Sequence, residues 1–278
     1  MPHFDTPEPI SATVEFDIGS VRIIASKRTD TVVEVLPSNA TNELDVRTAE
    51  QTKVTCSGGT LLVKGPKKRS PFGKTGSVDV LVELPVDSDV LGNAPMGDFH
   101  CEGRLGECRL KTSLGTLQVD EAAAANLRTD HGRINVARVT GDAEIVGAGR
   151  IEVGEIGGAA IVKNSNGDTE LGEITGDLKV NSSNGAISVD IAHASVNAKA
   201  ANGGIRVGDV TRGQITLQSA IGDLEVGIRE STAAWLDVHT QVGAMRNSLG
   251  ASEGPGDSAN KVEVRGRTGV GDIVIRRA

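Results

Sequence analysis

A short pattern returns about every nine residues from residue 97 onward. Each copy starts at a turn residue and places apolar residues at its third and fifth positions with a polar residue between them. The segment Gly176-Asp-Leu178-Lys-Val180 is typical. Such alternation predicts a β-strand whose apolar side chains point inward. One five-residue strand cannot bury its apolar face alone, so the pattern predicts a stack of strands.

Two kinds of corner alternate between these strands. One contains Asn-Gly, as at 166–167, 184–185 and 202–203, and the other carries an aliphatic residue, as in GEITG at 172–176. Asn and Gly both tolerate a positive φ, which tight turns require. One coil therefore spans about 18 residues and contains two short strands.

Stacking places equivalent residues of successive coils above one another. We expect a hydrogen-bonded ladder of side-chain amides formed by Asn166, Asn184 and Asn202. On the outward face, the same register predicts a row of opposite charges formed by Arg206, Glu225 and Arg246.

The predicted fold is all-β: one continuous domain, 1–278, built as a single elongated β-solenoid. The general crossover preference favours a right-handed wind. Residues 96–247 form the regular solenoid, and the less regular but strand-rich residues 1–95 are expected to cover one end. Residues 248–278 comprise an acidic insertion, 248–259, and a last coil whose closing strand DIVIRR is expected at the free end.

Composition narrows the classes of function. The chain carries 29 Lys and Arg against 37 Asp and Glu, and its net charge of −8 disfavours nucleic acid as a partner. Four Phe, one Trp and no Tyr imply a core of small aliphatic side chains. The start, MPHFDTPEPI, lacks the pattern of a signal peptide, and no apolar run is long enough to cross a membrane. We expect a soluble, cytoplasmic protein without a transmembrane segment.

The segment GDLKVNSSNGAISV resembles a bacterial family of β-strand-repeat proteins labelled "putative adhesin", a domain of unknown function. FDTPEPI near the start, the basic KGPKKRS, MGDF at 96–99 and the closing GDIVIRR are similar to members of that family without an export signal. The resemblance implies a β-solenoid, a cytoplasmic location and no established catalytic residue.

Catalysis and metal binding have little support in the sequence. Glu152 and Glu170 occupy the same outward position in neighbouring coils, about 5 Å apart, which is the spacing of a retaining glycosidase pair. They would lie on an open face without a sugar-stacking aromatic residue, which favours a surface charge pair. The Gly-Asp pairs lack the G-G-x-G-x-D pattern of calcium-binding repeats. Cys101 and Cys108 are expected to point into the core. We therefore predict no catalytic residue, cofactor or metal, and a protein that is not an enzyme.

Two features indicate binding to a partner. Trp235 is the one tryptophan and is predicted to face outward, either beneath the 248–259 insertion or as an anchor for a partner. The loop 64–74 is either a solvated loop or a site for an anionic partner. Its basic residues include Lys67, Lys68 and Arg69.

Two classes of function follow from these observations. The favoured one is a non-catalytic scaffold or protein-interaction module, with self-association as one mode. The alternative is a β-helix enzyme or binding protein that acts on polysaccharide at the cell surface. A cleft with converging acids would indicate the enzyme, and smooth faces with an exposed apolar patch would indicate the scaffold.

Overall fold

The computed structural model describes residues 2–66, 75–230, 232–250 and 260–278. The chain folds as two compact units, residues 1–138 and 139–278. Within the described residues, one helix accompanies a series of strands that are mostly parallel.

The first unit contains the helix and the first ten strands. The helix, α1 (Glu43–Gln51), follows Asn42, whose side-chain oxygen caps it by accepting a hydrogen bond from the Leu44 amide at 2.9 Å. The strands are β1 (His3–Asp5), β2 (Ser11–Glu15), β3 (Ile18–Ser26), β4 (Asp30–Pro37), β5 (Lys53–Ser57), β6 (Thr60–Lys64), β7 (Val78–Pro85), β8 (Asp89–Leu114), β9 (Leu117–His131) and β10 (Ile134–Val139).

The coils of the first unit stack in an order that differs from their order in the sequence. β2 and β3 form one coil, which pairs in parallel with β6 and β7 on one side and with β8 on the other. β5 pairs antiparallel with β6, and β4 pairs antiparallel with β7. These two strands continue the ladders beyond the parallel coils. The first coil of the chain is therefore enclosed between two later coils, and its inward side chains Val14 and Ile23 are fully buried.

The second unit consists of strands alone. They are β11 (Ala143–Gly147), β12 (Ile151–Ile156), β13 (Ala160–Asn164), β14 (Thr169–Ile174), β15 (Leu178–Asn184), β16 (Ile187–Ala192), β17 (Val196–Asn202), β18 (Ile205–Val210), β19 (Gly213–Ile221), β20 (Leu224–Ile228), β21 (Thr232–Val242), β22 (Met245–Asn247), β23 (Asn260–Val270) and β24 (Ile273–Arg277). Odd-numbered and even-numbered strands form two parallel ladders.

The register of these ladders reproduces the repeat in the sequence. Ala160 pairs with Leu178, which pairs with Val196 in the next coil. The inward side chains Ile174, Leu178 and Val180 are at most 2% exposed. The prediction of an all-β solenoid with about 18 residues and two strands per coil is therefore confirmed.

Two polar residues at inward positions have partners inside the core. Thr169 is fully buried, and its hydroxyl lies 3.1 Å from the side-chain nitrogen of Asn164. Thr129 is also buried, and its hydroxyl donates to the Gly115 carbonyl at 3.2 Å. Because a buried hydroxyl is costly only when it lacks a hydrogen bond, these residues interrupt the apolar pattern without opening the core.

The last coil along the chain does not lie at the end of the stack. β23 pairs with β19 on one side and with β21 on the other, and β24 likewise lies between β20 and β22. Within the described part of the chain, the coil of β21 and β22 ends both ladders. The expectation that the closing strand DIVIRR stands at the free end is corrected, because similar coils do not encode their stacking order.

The position of the last coil, between two earlier coils, also changes the outward row of charges. Glu225 lies 3.7 Å from Arg206, as expected, but its second partner is Arg276 of β24, at 2.8 Å. Arg246 instead lies 3.8 Å from Asp272. The predicted row of Arg206, Glu225 and Arg246 is thus interrupted where the last coil inserts.

Candidate interaction surface

The asparagines of the Asn-Gly corners form only part of the expected ladder. Asn184 and Asn202 are in register, and the amide nitrogen of Asn202 donates to the side-chain oxygen of Asn184 at 3.0 Å. The corner of Asn166 is organised by the buried Asn164, whose amide nitrogen donates to the Gly149 and Gly167 carbonyls at 2.9 Å each. The structure therefore joins two of the three predicted residues.

Buried hydroxyls at the same corners were not predicted. Ser182 donates to the Gly185 carbonyl at 3.1 Å, and Thr268 donates to the Gly222 carbonyl at 2.8 Å. Each side chain satisfies a carbonyl that the turn leaves outside the strand ladder. The signal in the sequence is a small polar residue three positions before many corner glycines.

The aspartates of the Gly-Asp pairs form hydrogen bonds between neighbouring coils. A carboxylate oxygen of Asp168 accepts a hydrogen bond from the Ala186 amide at 2.9 Å, and Asp142 accepts one from the Ala159 amide at 2.8 Å. These bonds give the repeated aspartates a structural role. Among the described residues, no group of three or more His, Cys, Asp or Glu is placed to hold a metal ion.

Glu152 and Glu170 are in register on neighbouring strands, as predicted. Arg150 interacts with both carboxylates, at 2.5 Å from Glu152 and 3.0 Å from Glu170. The hydrogen bond to Glu170, together with the attraction of Glu152, raises the pKa of Arg150 above its ordinary value. The guanidinium lies within ion-pair distance of both carboxylates and offsets one of their two negative charges, an arrangement typical of a surface charge ladder.

We expect the double substitution Glu152→Gln with Glu170→Gln to lower the free energy of unfolding by no more than about 1 kcal/mol, because exposed ion pairs contribute little. Chemical denaturation of the variant and the wild type would measure this difference. A loss several times larger would show that these carboxylates do more than balance charge on the surface.

The cysteine pair lies in the core of the first unit. Cys101 and Cys108 are both fully buried and are free thiols. The contact with the Cys108 thiol, with burial as a second cause, raises the pKa of Cys101 above its ordinary value. A neutral thiol of this kind behaves as a small apolar side chain.

Of the basic loop 64–74, the structure describes residues 64–66. Lys64 forms an ion pair with Glu15 at 2.6 Å. Lys67, Lys68 and Arg69 lie outside the described residues, so binding of an anionic partner there stays a prediction.

The coil of β21 and β22, together with the adjoining corners of β19 and β23, exposes five large apolar side chains, and we call this surface the open end. Trp235 points outward from β21 and is 57% exposed. In the next corner, Val242, Val270 and Ile221 are aligned on three neighbouring strands and are 62%, 48% and 56% exposed. Met245 of β22 is 57% exposed. The open end therefore contains half of the ten large apolar side chains that are exposed among the described residues.

The open end also leaves backbone groups available for pairing. β21 has eleven residues, and within the described part of the chain it pairs only with β23. Its inward residues Leu236 and Val238 are half-buried, whereas equivalent residues of inner coils are fully buried. An edge of this length is a template for another strand.

The charged groups of this coil are paired within the second unit. Asp237 accepts two hydrogen bonds from Arg267, both at 2.7 Å, and Arg246 lies 3.8 Å from Asp272. Residues 232–247 contain one acid and one base, so the coil is neutral in a chain with a net charge of −8. Repulsion between two copies of this surface is therefore small.

The stacked parallel coils and their corner hydrogen bonds define a β-solenoid protein. The chain belongs to the Toastrack DUF4097 family, whose family model matches residues 13–276. This match confirms the family resemblance inferred from the repeat.

Solved structures that match this chain do so over nearly its whole length and at low identity. A putative adhesin from Bacteroides fragilis is 11% identical with a TM-score of 0.41, covering 99% of this chain and 95% of its own. A putative cell adhesion protein from Clostridium sporogenes is 13% identical with a TM-score of 0.23, covering 100% and 98%. A search of curated proteins found no match. In the described ranges, no helix has the length and apolar character needed to cross a membrane.

Proposed function

We propose that this protein is a non-catalytic scaffold that binds protein partners, including copies of itself, through the open end. The proposal rests on the exposed apolar side chains beside the edge of β21 that pairs with no other strand in the described ranges. Exposed patches of this kind mark interaction sites more often than isolated apolar residues do.

Two kinds of contact support binding at this surface. The backbone of β21 can add a strand from a partner, which supplies affinity through main-chain hydrogen bonds. Trp235 and Val242 flank that edge and supply apolar area, and tryptophan is enriched among residues that dominate binding energy. A second copy presents the same patch, so two copies can pair about a twofold axis.

Substitutions at the open end test this proposal. We expect the intact chain to associate reversibly, and we expect Val242→Lys or Trp235→Ser to weaken association by about tenfold or more, as loss of an interface anchor does. Sedimentation velocity over a range of concentrations would measure the association constant. Both side chains are more than half exposed, so the fold should tolerate the changes.

Ile161→Lys is the matched control, because Ile161 is an exposed aliphatic residue of β13 at 41%. It adds the same charge away from the open end and should leave association unchanged. An intact chain that is strictly monomeric at every concentration would overturn self-association. Equal weakening by Ile161→Lys would place the contact elsewhere.

A further inference from the structure

A groove in the first unit forms a second candidate site, independent of the open end. It has a volume of about 650 Å³. Its lining consists of a row of glycines in stacked coils and the residues directly before and after them. Gly97 and Gly115 lie along its floor. A Cβ atom at Gly115 would meet the Gly97 carbonyl oxygen at 2.1 Å, so close stacking keeps this floor free of side chains.

One wall of the groove is acidic. Asp79 accepts hydrogen bonds from the hydroxyls of Ser20 and Ser38 at 2.7 and 3.0 Å, and Asp98 accepts one from the Thr116 amide at 2.7 Å. These donors are neutral, and neither carboxylate forms an ion pair with a described residue. The described lining contains no Lys or Arg, so the negative charge of this wall is not compensated there.

The opposite wall is apolar. Met96 and Leu114 occupy the positions before the two floor glycines and are 47% and 50% exposed. Ile18, which pairs with Met96 in the neighbouring strand, continues this wall. His131 completes the row beyond Leu114 and is the one titratable base of the described lining.

We propose that this groove binds an extended segment of a partner protein in which basic and apolar residues alternate. Side chains of an extended chain point alternately to opposite sides, so one set meets the acidic wall while the other meets the apolar wall. The lining comes from five stacked levels, 77–79, 18–20, 96–98, 114–116 and 131–132. At about 4.8 Å spacing these levels span about 19 Å, which accommodates five or six extended residues.

Synthetic peptides test this selectivity on the full-length protein. The probe is fluorescein-labelled Lys-Leu-Lys-Leu-Lys-Leu-Lys, and the control peptide has the same composition in blocks, Lys-Lys-Lys-Lys-Leu-Leu-Leu. We expect fluorescence anisotropy to show about tenfold tighter binding of the alternating peptide, because only it can satisfy both walls at once. Equal binding of the two peptides, or no binding of either, would overturn the proposal.

Variants locate the binding to the groove. Asp79→Asn with Asp98→Asn removes both charges but keeps the oxygens that accept the local hydrogen bonds. We expect it to weaken binding of the alternating peptide by about threefold to tenfold, as loss of two exposed ion pairs would. Leu114→Ser should weaken binding through the other wall, and its half-exposed position should preserve folding.

A charge-matched control separates the groove from general attraction to an acidic protein. Asp190→Asn with Glu8→Gln removes the same charge from exposed positions that do not line the groove. Its affinity for the alternating peptide should stay within about twofold of the wild type, as is usual for charges outside an interface. If the control weakens binding as much as the groove variant does, the peptide is held by net charge and the proposal is wrong.

Discussion

Replacing Leu178 with aspartate is expected to unfold the second unit. Leu178 is 2% exposed and lies between Ala160 and Val196 of the neighbouring coils. The substitution removes a buried leucine, which costs about 2–5 kcal/mol, and forces a carboxyl group into an apolar core. Domains of ordinary stability unfold with about 5–15 kcal/mol, so the sum is comparable with the whole stability of the fold.

The neighbouring residue provides a matched control for Leu178→Asp. Lys179 lies one position along the same strand, faces outward and is exposed. Lys179→Asp should change the free energy of unfolding by only about 0.5 kcal/mol, as is usual for surface substitutions. Circular dichroism melts of the two variants would measure the difference. Similar melting temperatures would contradict the inward and outward assignment.

Strand orientation could be predicted because it depends only on local periodicity. Alternation of apolar and polar residues determines which side chains point inward, and Leu178 and Val180 are buried as expected. The polar residues that occupy inward positions could be explained only from the structure. Thr169, for example, is acceptable only because Asn164, five residues earlier, reaches its hydroxyl.

Stacking order could not be predicted for a different reason. Each coil presents the same edge to the next, so the repeat does not distinguish a coil that follows its predecessor from one that inserts between two earlier coils. A coil near each end of the chain lies between two coils that do not flank it in the sequence. β2 and β3 lie between β6/β7 and β8, and β23 and β24 lie between β19/β20 and β21/β22. Terminal segments tend to fray, and enclosing them provides partners on both sides.

The sequence predicts Trp235 as an anchor for a partner, but the aliphatic row of the open end depends on that stacking order and could not be predicted. Alternation in the sequence correctly places Trp235 on the outward face, where it is 57% exposed. The sequence could not show that Trp235 lies in the coil that ends the ladders, since residues 260–277 follow it in the chain. The exposed row of Ile221, Val270 and Val242 becomes visible only when β23 is placed between β19 and β21.

The Asn-Gly corners require glycine for more than the turn itself. Gly185 has a φ of 126°, which side chains rarely tolerate. A Cβ atom at this position would also lie 2.1 Å from the carbonyl oxygen of Gly167 in the coil below. A Cβ atom at Gly222 would likewise lie 2.2 Å from the carbonyl oxygen of Gly203. The turn propensity of Asn-Gly accounts for the first requirement, but only the stacked coils show the second.

Gly185→Ala should therefore be strongly destabilising, by about 3 kcal/mol or more, because positive φ costs an L-residue about 1–2 kcal/mol and the coils must also separate. Gly172→Ala isolates the contact, since its Cβ would lie 2.2 Å from the Gly154 carbonyl oxygen without a positive φ. Gly250→Ala is the control, because no described residue beyond its chain neighbours has an atom within 4 Å of its Cβ. Chemical denaturation should rank the loss of stability as Gly185, then Gly172, then Gly250. If Gly172→Ala were as harmless as Gly250→Ala, backbone conformation alone would explain the glycines, and close stacking of the coils would not.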